Sequence, residues 1–373
     1  MRFPGFTEPW QKCRLGDYIR IFSGESPNRI NSEYDKIPYY KVEQLNWCEK
    51  YLGETPYLSQ RGKNILPEGC VVFSKRGAAI LTNKVRMNLF PINIDTNLMG
   101  IKADNSFILD QYLFYFILRA RLNRIADTST IPQINNIHIN PITIYVPSLA
   151  EQEIITKFLA LLDERIATQR RLIEDLEKLM SSIVDRIFSD VDGEVVKFRD
   201  ILEISTQRND GKADYRILSA SQEFGMIERD SLDIDIKAEA KSVKMYKRVH
   251  PGDYVLHLRS FQGGLAFAEV EGICSPAYTI LRPNKRLEYG YLKEYFNSSK
   301  FIKSLVLVTY GIRDGRSINV EEFLDMNISI HHKNKQAEIV KSLSMLSDKL
   351  NVEASILNRY EQQRAYLLSN LFI

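Results

Sequence analysis

From Glu151 to about Ser189 the chain reads EQEIITKFLALLDERIATQRRLIEDLEKLMSSIVDRIFS, with no proline and no glycine. Its apolar residues recur at alternating steps of four and three. Ile155, Leu159, Leu162, Ile166, Ile173, Leu176, Met180, Ile183 and Ile187 share one seam, interrupted only by Gln169. A sustained 3.5-residue period predicts a helix packed lengthwise against another helix. At 1.5 Å per residue, about 38 residues make a rod of roughly 55 Å. A second such segment runs from Lys335 to the end, with Ile339, Leu343, Leu346, Leu350, Leu357, Tyr360, Leu367 and Leu371 on its seam.

The two segments superpose at a shift of 184. Gln152 falls on Gln336, Ile155 on Ile339, Lys157 on Lys341, Leu159 on Leu343, Leu162 on Leu346 and Phe188 on Phe372. The polar break matches too, since Gln169 lies over Glu353. Unrelated amphipathic helices would share the rhythm but not the identities and the break, so the chain is read as an internal repeat. The rest agrees. At a shift of 183, Leu15–Ile19 overlies Phe198–Leu202, and EGCVVFSKR (68–76) overlies PGDYVLHLR (251–259); Ile134-Asn135 overlies Ile318-Asn319 at 184.

Between the rods the patterns are mixed. Tyr39–Val42, Tyr215–Leu218, Gly69–Ser74 and Gly252–Leu258 read as strands, and Asp110–Asn123 and Glu288–Ser304 as helices. The expected fold class is α+β: two mixed α/β globular domains separated by a long antiparallel two-helix coiled coil, with pseudo-two-fold internal symmetry. The predicted boundaries are 1–150 and 191–335 for the domains, and 151–190 and 336–373 for the helices. The rods are expected to pack antiparallel, with the domains at or near opposite ends. Such an approximate two-fold is the symmetry that a DNA duplex also offers a protein.

Composition narrows the class. With 44% apolar and 26% charged residues the chain is a folded protein. It has no apolar run near the roughly 18 residues of a membrane span, and MRFPGFTEPW lacks a signal-peptide core, so a cytoplasmic location is expected. Cys13, Cys48, Cys70 and Cys274 are scattered, which suits a reducing compartment and gives no zinc spacing. The net charge of +3 is uneven. Residues 1–150 hold 18 basic against 13 acidic side chains, whereas 151–190 hold 6 against 9. The domains are thus mildly basic, which permits a polyanionic partner without demanding one.

Catalytic motifs fail. Ser275-Pro276-Ala277-Tyr278 lacks the second proline of an amino-methyltransferase motif. Gly311–Ser317 is one residue short of a phosphate-binding loop and has Arg in place of Lys. Asp233–Lys237 is an isolated acidic-x-Lys element, and His331-His332 reads as an exposed turn without companion ligands.

The opening RFPGF (2–6) with Trp10 and Leu15-Gly16, the passage Val146–Gln152 into the first rod, the repeat and the terminal Leu371-Phe372 together resemble the specificity subunit of type I restriction–modification systems. The resemblance spans the whole chain, although His331–Gln336 replaces the Pro and Glu of the entry passage in the second unit. It implies a non-catalytic DNA reader. Each target-recognition domain would read one half of a bipartite double-stranded site. The helices would set the gap and dock two modification subunits, which methylate adenine. Restriction (motor-nuclease) subunits would join them. No cofactor is expected in this chain; S-adenosylmethionine, ATP and Mg would belong to the partners. The alternatives are a coiled-coil scaffold for proteins without DNA specificity, and a solitary methyltransferase or nuclease.

Basic and amide side chains in loops are the candidates for DNA contact, Lys and Arg for phosphate and Arg or Gln for base edges. In the first domain they are Arg61, Lys63, Lys75, Arg76, Lys84 and Arg86, with Thr128, Ser129, Thr130 and Gln133. In the second they are Arg208, Arg259, Ser260, Gln262, Tyr310, Arg313 and Arg316. Loops 74–77 and 258–264 stand first because they occupy equivalent places in the repeat. Beside the seam, Phe158, Leu172 and Leu179 form a stripe that is the candidate for docking a partner, while Ile154 and Leu161 lie elsewhere.

Overall fold

The computed structural model describes residues 2–26, 31, 36–60, 62–189, 191–211, 215–221, 224–229, 243–257, 259–310 and 317–372. The chain divides into two units, Met1–Gln169 with Ile356–Ile373, and Arg170–Ser355. The division runs through the two long helices, so each unit owns one sheet domain and a portion of each rod.

The first unit is built on a four-stranded antiparallel sheet in the order Ile19–Ser23, Leu98–Ala103, Val71–Ser74, Val85–Met87. The second repeats that order with Leu202–Ser205, Thr279–Pro283, Tyr254–Leu256 and Ala266–Phe267. The strand entering each unit pairs antiparallel with the strand leaving it. Cys13 lies opposite Ile144, and its repeat equivalent Val196 lies opposite Ile328. A short 3-10 turn follows each entry strand, Leu15–Asp17 and Phe198–Asp200, and buries Leu15 or Phe198 completely. The duplication is therefore one of topology and register as well as of sequence.

The long helices cover Leu149–Ile187 and Lys333–Leu371, 39 residues each. In the first unit Ile155, Leu159, Leu162 and Ile166 share a core with Leu367 and Leu371, with Leu357 and Tyr360 packed against it. Arg364 meets Asp163, while Tyr360 lies beside Leu162 and Arg165. Within this unit the second helix thus runs back along the first as the first advances, which makes the pair antiparallel. In the second unit Met180 is buried with Ile339 and Leu343, and Ile183, Ile187, Leu346 and Leu350 pack on them half-buried. Val184 and Leu368 are also buried, although the four–three seam passed them over.

Two glutamines fix where the helices start. Gln152 is fully buried; its Oε1 accepts from Leu109 N at 2.8 Å, and its Nε2 donates to the carbonyls of Phe107 (2.9 Å) and Pro147 (3.0 Å). Gln336 repeats this with Glu288 N (2.9 Å), Arg286 O (3.1 Å) and His331 O (2.8 Å). An amide has both donors and an acceptor, so it satisfies three backbone groups that burial would otherwise leave unpaired. In the first unit Glu151 adds a two-pronged bond from Arg2 (2.9 Å each) and one from Trp10 Nε1 (3.2 Å). This accounts for the Glu-Gln pair and for the opening residues.

Several local readings change. The helix expected over 288–304 is two short ones, Lys293–Asn297 and Ser299–Ser304. Gly290 has φ +77°, Leu292 N donates to Tyr254 Oη, and the extended Ser298 caps the next helix by accepting from Phe301 N. Asp110–Asn123 stops at Ala120, because Arg121 adopts φ +56°. There Asn83 bridges the break, donating to Leu118 O and accepting from Leu122 N. The strand expected at 39–42 is Ile37–Tyr40, and that at 215–218 begins only at Leu218. His331 is no exposed turn: it ends a strand and its Nδ1 lies 2.7 Å from Tyr291 Oη. Asp233–Lys237 lies outside the described residues.

Candidate nucleic-acid interface

In the first unit the third strand of the sheet ends at Ser74, whose hydroxyl donates to Arg76 O at 3.0 Å. The turn it makes is clamped by backbone on both sides. Lys75 N donates to Asn97 O (2.8 Å), Ile134 N to Lys75 O (2.9 Å) and Gly77 N to Pro132 O (2.8 Å). A narrow hairpin is thereby held against the loop, closed by reciprocal 2.9 Å bonds between Asp127 and Gln133. Asp127 also accepts from Ser129 N, which pulls its carboxyl below the ordinary range. Thr128, Ser129 and Thr130 are exposed at the tip and Arg76 beside it; Lys75 is half-buried, and burial lowers its ammonium pKa. Ile131, which the sequence reading passed over, is 55% exposed at the same tip. Its signal was a large apolar residue amid small polar ones just before a proline.

The second unit assembles the same parts. The short helix Ser260–Gly263 follows the equivalent strand and packs on a hairpin of Thr309–Tyr310 with Ser317–Ile318. Arg259 and Gln262 are exposed. Tyr310 is exposed and donates to Glu322 Oε2 at 2.7 Å, which raises its phenol pKa. Gly264, with φ +79°, brings the loop back beneath Phe296 O, which an added Cβ would meet at 2.1 Å.

Not every candidate joins these loops. Lys63 is exposed, its backbone N bound to Glu25. Arg208 is exposed with a 3.9 Å contact to Met245 Sδ. Lys84 just precedes the fourth strand and is tied to Asn46 Oδ1, while Arg86 sits on it and donates to the carbonyls of Leu45 and Val85. Ser260 is fully buried, its hydroxyl accepting from His257 N, so it shapes the loop rather than facing outward. Arg61, Arg313 and Arg316, and Leu258 within the second loop, lie outside the described residues. On the rods Phe158, Leu172 and Leu179 are all exposed; Phe158 also meets Phe3 edge-on at 5.6 Å and lines a groove with Leu161, Leu162 and Tyr360. Among the described residues no group of three His, Cys, Asp or Glu could hold a metal, and no helix is long and apolar enough to cross a membrane.

Residues 7–178 match the family model of the type I restriction modification DNA specificity domain. Just under half of the chain is thus similar to a type I specificity domain. Two proteins of Methanocaldococcus jannaschii named as type I restriction enzyme specificity subunits are similar to it. One, MjaX, is 23% identical over 188 residues, 49% of this chain and 43% of that protein. The other, MjaVIII, is 24% identical over 225 residues, 53% of this chain and 50% of that protein. The matched region thus spans about half the length of these curated relatives. Over nearly the whole chain the fold is that of two solved structures. One comes from work on complex assembly and conformational transition of the type I system, with TM-score 0.60, 16% identity, and 98% and 97% of the two chains covered. The other is a type I S subunit from M. genitalium, with TM-score 0.58, 14% identity, and 100% and 97% covered. The family model stops at residue 178, and the second unit repeats the sheet order of the first.

Proposed function

We propose that this chain is the DNA-reading subunit of a type I restriction–modification complex, one unit for each half of a bipartite site. The observation that carries the reading is the repeated loop-and-hairpin: each sheet's third strand delivers an Arg-bearing turn onto a hairpin that precedes the exit strand, at equivalent places in both units. A phosphate-and-base reader needs such exposed basic, hydroxyl and amide groups on a rigid support. The residues outside the framework differ between the units, so the two half-sites are different sequences.

In this reading the long helices set the unread gap and the apolar groove at Phe158, Leu161, Leu162 and Tyr360 docks a modification subunit, with Leu172 and Leu179 along a further stretch. Methylation of adenine with S-adenosylmethionine, and ATP- and Mg-dependent cleavage, are work for partner subunits; this chain supplies specificity and no catalysis.

The test is to co-express the chain with its adjacent methyltransferase and sequence modified bases in the host DNA. The expected result is adenine methylation at one split motif, absent when either protein is omitted. Methylation by this chain alone would make it an enzyme. A complex whose methylation pattern does not depend on this chain would make it a scaffold. Leu161→Glu, at an exposed position, should leave the melting temperature unchanged while lowering copurification of the methyltransferase at least about tenfold, the effect of placing a charge in an apolar contact.

A further inference from the structure

We propose that Asp163 and Arg364 decide which long helix pairs with which: they let the first helix accept the second and reject another copy of itself. In the first unit Asp163 Oδ1 pairs with Arg364 Nε, while Asp163 Oδ2 accepts from Tyr115 Oη at 2.7 Å. Lys50 Nζ donates in turn to Tyr115 Oη at 2.9 Å. The side chains of Asp163 and Arg364 are only 18% and 30% exposed, so removing either partner strands a half-buried charge.

The repeat explains why such a device is needed. At three successive seam positions the two helices are interchangeable: Ile155 stands for Ile339, Leu159 for Leu343 and Leu162 for Leu346. Hydrophobic packing alone would therefore tolerate a first helix on a second copy's first helix. The charged pair has no counterpart, because the shift of 184 carries Asp163 onto Ser347 and Met180 onto Arg364. A first helix on its own copy would set Asp163 opposite Met180, and a second helix on its own copy would set Arg364 opposite Ser347. A polar contact beside an apolar seam specifies pairing in this way, trading stability for selectivity. Heterotypic pairing keeps two unlike recognition units in one reader; that consequence, unlike the pairing itself, rests on the function proposed above.

Full-length chains test this by their mass in light scattering and by their melting temperature. Asp163→Arg and Arg364→Asp should each lose the wild-type values, since each sets like charges face to face. The double exchange D163R/R364D should restore the wild-type mass and raise the melting temperature above both singles, short of full recovery because Lys50 and Tyr115 lose the carboxylate they face. Co-expressed D163R and R364D chains should form a two-chain species of doubled mass, because the first helix of each then matches the second helix of the other. Should the single variants fail to accumulate alone, their co-expression still gives that readout. Wild-type mass and melting temperature in D163R alone would overturn the proposal, as would a double exchange no better than the singles, or co-expressed chains that associate no more than either alone. The masses are read without DNA, so failure of the DNA-reading function, seen as no site-specific methylation by the wild-type complex, is a separate result.

Discussion

Single side chains in this molecule do most of their work by satisfying backbone at junctions. Gln152 and Gln336 each pair three main-chain groups where a rod leaves its domain. Gln152→Ala strands one N–H and two carbonyls, and at about 1–3 kcal/mol for a buried polar group left unpaired the loss is expected to be about 3 kcal/mol. Urea unfolding of the variant checks it, and Gln336→Ala should act alike on the second unit. Lys50 gives a pH-dependent counterpart. Burial lowers its pKa to about 8, with Arg364 adding to the effect and Asp163 opposing it, and it lies over the rings of Tyr51, Phe114 and Tyr115. The unfolded chain still binds this proton between about pH 8 and the ordinary lysine value near 10.4, while the folded chain has released it, so this group makes stability rise with pH across that window. Lys50→Met should therefore gain stability relative to wild type below pH 8, and the gain should shrink as pH rises through the window in parallel denaturation curves.

At the scale of elements, the loops that present the DNA candidates depend on backbone geometry that only certain residues allow. Gly264 has φ +79° and ψ −162°, a region nearly closed to other residues, with Phe296 O in the path of a Cβ. Gly264→Ala should cost about 2 kcal/mol or more and displace Arg259 and Gln262, measured as a lower melting temperature together with loss of discrimination at one half-site. Gly77 lies in the same region, φ +86° and ψ −175°, but has nothing near its Cβ position, so the same change should cost the backbone strain alone, about 1–2 kcal/mol. The contrast shows what was legible beforehand. Periodicity located both rods to within about three residues at each end, because a 39-residue seam averages out local exceptions. It misjudged 288–304 and 110–123, where Gly290, Ser298 and the positive φ of Arg121 break helices whose apolar pattern runs on. Those breaks are set by tertiary partners, Tyr254 and Asn83, that no local window contains. Likewise Arg86 and Ser260 read as free polar groups, and only the fold shows that Leu45 O and His257 N occupy them.

For the whole molecule the repeat was the legible feature, since two shifts of 183 and 184 carried sheet order and strand register along with the sequence. What those shifts could not show was the asymmetry laid over them: Glu151 with Arg2 and Trp10 in one unit only, and Asp163 with Arg364 against Ser347 and Met180. Under the proposed DNA-reading function, the gap between half-sites is where the repeat becomes measurable. Inserting four residues within 160–180 and four within the opposing stretch of the second helix lengthens the rod by about 6 Å, close to two base pairs at roughly 3.4 Å each. It also rotates the far end by about 40°, at roughly 100° per residue, while two base pairs turn the duplex by about 70° in the same sense. The residual of about 30° is small, and a four-residue insertion only locally unwinds a coiled coil. Three residues rotate the end by about 60° the other way over about 4.5 Å, against roughly 45° of duplex turn, leaving a mismatch above about 100°. Modified-base sequencing should therefore find both half-sites intact and the gap widened by two for the four-residue variant, and no methylated split site for the three-residue one. An unchanged gap in the four-residue variant, or altered half-sites, would remove the helices from the task of spacing.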